Sequence, residues 1–212
     1  MSPSSTPRTK RMPPEQRERA ILDAALGLAR QGGIAGLTVR TVAAAAGVTP
    51  ALVAHYRPSM DALVAEVFAA IVAAERDEVM AAGRAEEGLR ARITRIVETL
   101  LDGDRDDVTL VWVQAWAAGA RNEELAARVR SEMDHWQQEL ERIFAEGVAA
   151  GEIAATRADG AAWLLLAAVD GMNAHSLVRW APEDRAGLAR RTVAAILGEG
   201  TGAIRDAGSA AR

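Results

Sequence analysis

Apolar residues recur every three to four positions along most of the chain, the period of helices with one buried face. Ile21, Leu22, Ala25, Leu28 and Ala29 give such a face to a first helix, which starts at Pro14 and ends at Gln31-Gly32-Gly33. Val39, Val42, Ala43 and Ala46 repeat at the same spacing over a shorter stretch. Thr38 caps that stretch, because its hydroxyl can accept a hydrogen bond from a free N–H at the helix start. Gly47 ends it, since glycine accepts the left-handed backbone of a C-terminal turn. Thr49 is a second cap, and Pro50 sits at a first helical position, where its missing N–H costs nothing. Leu52 and Val53 anchor this second short helix, with Val48 filling the space between the two. Pro58 then breaks the chain, Ser59 restarts it, and Val64, Val67, Phe68, Ile71 and Val72 form the apolar face of a longer helix. Helical segments are expected near 60–83, 86–102, 105–120, 122–150, 157–180 and 183–198, punctuated by Gly103, Gly119, Gly151 and Pro182. No alternating strand pattern of useful length and no internal repeat is present. The predicted fold is all-α, with about nine helices in total.

Two short capped helices joined by a glycine turn are how a helix-turn-helix presents its second helix to the DNA major groove. The competing reading is an alanine-rich hairpin inside a bundle, which two caps at this spacing match less well. Charge favours the first. Residues 1–57 hold eight Lys/Arg against three Asp/Glu, a net +5, while the whole chain is −4. A basic head on an acidic body orients toward DNA by its own field. Residues 1–13 have almost no large apolar side chains and are expected to form a disordered arm. Its Arg8, Lys10 and Arg11 suit phosphates or a minor groove, or else simply solvate a tail.

Other features narrow the function further. The absence of cysteine excludes disulfides, zinc–thiolate sites and thiol sensing. The arm has no secretory h-region, and the longest apolar run, Ala161 to Val169, is too short to span a bilayer, so a cytoplasmic protein with no membrane partner is expected. His55, His135 and His175 are scattered, and there is no HExxH or phosphate-loop spacing. No enzyme, cofactor or metal site is expected.

The segment Leu37 to Leu63, LTVRTVAAAAGVTPALVAHYRPSMDAL, behind a helix ending in glycines, resembles the DNA-binding domain of TetR-family transcriptional regulators. The resemblance covers roughly residues 14–74. VWVQAWAAGARNEEL (Val111 to Leu125) and AAVDGMNAHSLVRW (Ala167 to Trp180) are similar to the BetI-like branch, whose best-known member senses choline. The resemblance implies a three-helix DNA-binding domain over 14–74 and a ligand-binding and dimerisation domain over 75–200, while the terminal sequence itself is expected to form a flexible tail over 201–212. It implies a homodimer formed through the last two helices, a palindromic double-stranded operator and release by a small-molecule inducer. Thr38 would cap its helix and touch a phosphate, and Arg40 would reach a base edge or phosphate. Thr49, Pro50 and Ala51 would face the groove, and His55 and Tyr56 would contact phosphates. Two positions depart from the family pattern. Arg57 replaces an apolar or aromatic residue packed under the motif, and could supply a charge near the DNA; Met60 replaces a phosphate-binding lysine. These departures keep open a second reading, a helical binding protein that kept the fold and lost specific DNA binding.

Five tryptophans stand against two phenylalanines and one tyrosine, and all five lie beyond residue 110. Trp112 and Trp116 are i, i+4 on one helix face. Asp170 interrupts the apolar stretch WLLLAAVDGMNAHSL, where a carboxylate needs a partner. Tryptophan is the best cation–π partner, so Trp112, Trp116, Trp163 and Asp170 could hold a small cationic inducer. Alternatively the tryptophans fill a helical core and Asp170 is tied up structurally or at the dimer contact.

Overall fold

The computed structural model describes residues 13–179 and 184–198. The expected arm, tail, Trp180 and Pro182 therefore lie outside the described residues, apart from Pro13. Ten α-helices run through the described chain, and no strand occurs among those residues. The head comprises α1 (Pro14–Gly32), α2 (Val39–Ala45) and α3 (Pro50–Tyr56). α4 (Met60–Arg84) carries the chain from the head into the body. The body continues with α5 (Leu89–Leu100), α6 (Asp106–Gly119), α7 (Glu123–Ala149), α8 (Ala155–Ala158), α9 (Ala161–Ser176) and α10 (Arg185–Leu197). Nine of these helices are longer than a single turn, and none among the described residues is long and apolar enough to cross a membrane.

Some boundaries differ from the periodicity: the helix expected from 86 begins at Leu89, and α9 ends at Ser176. The segment expected to be helical over 157–180 is split into α8 and α9. Gly160 interrupts it with a φ of 69°, a left-handed conformation that glycine adopts without a Cβ penalty.

Two apolar cores lie end to end. The first joins Ile21, Val42, Val53 and Phe68 to Val111 and Ala115 of α6 and Leu125 of α7. The second gathers Val79, Ile93 and Ile96 with Trp136, Leu140 and Phe144 of α7, Leu165 of α9 and Val193 of α10. Trp112 packs against both. Head and body thus share buried surface, with α6 lying against α1 and α4 crossing α5, α6 and α7. Residue 74 falls inside uninterrupted α4.

Candidate functional site

The helix pair of the head is built by local hydrogen bonds. Thr38 Oγ1 accepts from the Thr41 backbone N–H at 3.1 Å, and the Thr38 N–H donates back to Thr41 Oγ1 at 2.9 Å, a reciprocal capping box. At the other end of α2 the Val48 N–H donates to the Ala43 carbonyl and the Gly47 N–H to that of Ala44. This pair of hydrogen bonds needs a left-handed residue, supplied by Gly47 at φ 65°. Thr49 Oγ1 then accepts from the Leu52 N–H, and Pro50 opens α3. Val42, Ala43 and Val53 are buried, while Val48 and Leu52 are half-buried.

That anchoring leaves Thr38, Arg40, Thr49, Pro50, Ala51 and His55 exposed. Tyr56 is half-buried against the first core, its ring edge-on to His55 at 5.1 Å. Arg57, which could have supplied a charge near the DNA, instead turns its guanidinium inward. It lies 2.7 Å from Glu66 and 3.6 Å from Glu18, so its charge is neutralised within the head. Met60 packs against the first core.

In the body, a cavity of about 430 Å³ is walled by α4, α6, α7 and α9, with Leu100 contributed by the end of α5. Trp112, Trp116, Trp163 and Asp170 all line it. The Trp112 and Trp116 rings sit 5.6 Å apart, and Phe68 packs edge-on against Trp112 at 5.0 Å. Trp163 stands at the exposed edge, with 61% of its surface accessible. Asp170 has no hydrogen bond or ion pair to any described residue, and burial pushes its carboxyl up to about 6.

The cavity wall holds further residues that the tryptophan pattern did not single out. Glu75 of α4 is buried and accepts a hydrogen bond from Trp112 Nε1 at 3.2 Å. Burial pushes it up to about 7, against the opposing effect of that hydrogen bond and of Arg105. Its signal was present in the sequence, since Ile71, Glu75 and Val79 repeat every four residues on one apolar face. Trp136, Gln137 and Asn173 also line the cavity, and Trp116 Nε1 and Gln137 Oε1 are buried without a partner.

α6 links this cavity to the head. Its Gln114 Oε1 accepts from the Ala35 N–H at 2.8 Å, and its side chain packs across Gly33. Asp107 at its start pairs with Arg30 of α1 at 3.2 Å. Residues two positions apart on α6 therefore touch the cavity and the head.

Residues 21–67 match the model for bacterial regulatory proteins of the tetR family, and residues 89–198 match that for the C-terminal domain of BetI-type transcriptional repressors. The HTH-type transcriptional regulator BetI of Rhizobium meliloti strain 1021 is 28% identical over 126 residues, covering 55% of this chain. The match spans 62% of that relative's length. A transcriptional regulator from Pseudomonas aeruginosa PAO1 has a TM-score of 0.68 at 26% identity, covering 92% of this chain and 96% of its own. A TetR-family regulator from Rhodococcus sp. has a TM-score of 0.72 at 24% identity, with 86% and 99% covered. A regulator from Saccharomonospora viridis in complex with choline has a TM-score of 0.74 at 22% identity, with 88% and 97% covered.

Proposed function

Because the chain belongs to the TetR family of bacterial transcriptional regulators, with a C-terminal domain of the BetI type, we propose that it is a ligand-responsive repressor. It binds a palindromic operator as a homodimer and is released by a small-molecule inducer. The observation that carries this reading is the position of α6, with Trp112 and Trp116 in the cavity and Gln114 on the head. A ligand that favours one placement of α6 shifts the head between operator-competent and operator-incompetent populations. α4, which runs from the head into the cavity wall, is the second lever.

Residues 14–74 form the DNA-binding unit in this reading, and residues 75–200 the ligand-binding and dimerisation unit. Thr38, Arg40, Thr49, Pro50, Ala51, His55 and Tyr56 face the operator. Arg40 is the cleanest probe because its side chain is exposed, whereas Tyr56 also contributes to packing. Arg40→Ala is expected to weaken operator binding by about 1–3 kcal/mol with an unchanged melting temperature. Fluorescence anisotropy on a labelled operator checks this, and wild-type affinity would remove Arg40 from the interface. Arg57 and Met60 contribute no phosphate contact, so affinity falls broadly rather than in sequence preference.

The dimer forms through α9 and α10. Supporting this, Trp163, Leu164 and Val178 are the exposed large apolar side chains among the described residues. Leu164, Ala168, Gly171 and His175 follow one line along α9, and open space surrounds the position a Cβ would take at Gly171. A two-fold dimer places one recognition helix on each half-site.

The inducer is cationic. Tryptophan faces attract cations, and Asp170 offers an unpaired carboxylate. A regulator of the same fold is in complex with choline. Operator release by choline or a larger ammonium compound tests this directly. Asp170→Asn is expected to reduce the response at least about tenfold while sparing operator binding, since about 1.4 kcal/mol corresponds to that factor. An unchanged dose response would remove Asp170 from the site.

A further inference from the structure

We propose that the ligand of this cavity is an amphipathic dication, with one protonated amine at Asp170, the other at Glu75, and an apolar spacer lying across Trp112, Trp116 and Trp136. The inference rests on the cationic-inducer reading and specifies the ligand class. Arginines near the cavity wall already have carboxylates of their own. Arg76 pairs with Glu132, Arg105 with Glu78 at 2.7 Å, and Arg130 with Glu123 at 2.7 Å. Glu75 and Asp170 line the same cavity from α4 and α9, and neither has an ion pair to a described residue. A single cation can neutralise one of them and leaves the other buried without a counter-charge.

The remaining wall chemistry agrees. Gln137 Oε1 is a further buried acceptor without a partner, and Trp116 Nε1 is the one such buried donor among the residues lining the cavity. A wall richer in open acceptors than donors suits N–H groups. The volume of about 430 Å³ lies within the range of roughly 300–1,000 Å³ that takes drug-sized ligands, leaving room for a spacer. The charged groups acting on Glu75 are Arg105, Asp107 and Asp170, and those on the wall with Asp170 are Glu75, Arg130 and Asp134. Both cavity carboxyls are lifted toward neutrality by burial, so a cation that ionises them displaces protons.

The test is titration calorimetry of the full chain with 1,8-diaminooctane and with octylamine, which share a chain length and differ in one amine. At pH 8 the diamine is expected to bind at least about tenfold more tightly. Glu75→Gln removes that advantage and leaves octylamine within about twofold, whereas Asp170→Asn weakens both. In wild type at pH 6.5, a series of buffers differing in ionisation enthalpy should report proton release with the diamine and less with octylamine. That measurement stands even if a variant fails to fold. Equal affinity of the two amines, or no difference in proton release, overturns the dication. Failure of both amines and of choline to bind at any pH overturns the cationic reading itself as well.

Discussion

Replacing Phe68 with alanine is expected to cost about 3–5 kcal/mol of stability, the range for removing a large aromatic from a packed core. Phe68 is fully buried in the first core and meets Trp112 edge-on at 5.0 Å. Such a ring pair contributes about 0.5–1.5 kcal/mol beyond burial. The space left by Phe68→Ala would open beside Trp112, which packs against both cores and lines the body's cavity. The substitution therefore reaches the site as well as the fold. Urea unfolding at matched protein concentration measures the loss, with concentration held fixed because any self-association would shift apparent stability. A loss below about 1 kcal/mol would show that the two cores do not depend on this ring.

Glu75→Gln is expected to stabilise the ligand-free protein at pH 8 and to leave it nearly unchanged at pH 4.5. Burial raises Glu75 from 4.5 to about 7, so over that window the folded chain keeps a proton that the unfolded chain has lost. Stability therefore falls as pH rises from about 4.5 to about 7, and the full cost is felt above that. Glutamine does not titrate and still offers an oxygen to Trp112 Nε1. The gain at pH 8 is on the order of a few kcal/mol, since each tenfold change in proton affinity between the folded and unfolded chain corresponds to about 1.4 kcal/mol. Asp170, raised from 3.8 to about 6, acts with the same sign over a lower window. Urea denaturation of wild type and variant at the two pH values checks the difference. An equal effect at both would show that Glu75 is not a buried, proton-holding carboxyl.

The head was legible because its determinants are local. Thr38, Thr49 and Ser59 each accept a hydrogen bond from an N–H three residues on, so spacing alone identifies them. The inward turn of Arg57 was not legible, because its partners Glu18 and Glu66 come from α1 and α4. The same holds for Gln114 and Ala35, which lie 79 positions apart. In the body, tryptophan enrichment pointed to the residues that line the cavity, and the one acid in an apolar stretch of α9 pointed to Asp170. Glu75 carried a comparable signal on the apolar face of α4, but the neighbouring charges of AERDE masked it. Trp136 was readable as core, and burial agrees; its place in the cavity wall depends on how α7 crosses α4 and α9.

Recognition of one operator by this head, under the control of this body, is open to a direct test. Sequences bound from a random duplex library are selected, and their affinities are then measured across a salt series. Enrichment of a palindrome with two equivalent half-sites is expected, bound more tightly than unrelated duplex at every salt concentration. No enrichment, with weak binding to every duplex that falls steeply with salt, would contradict operator recognition by this chain.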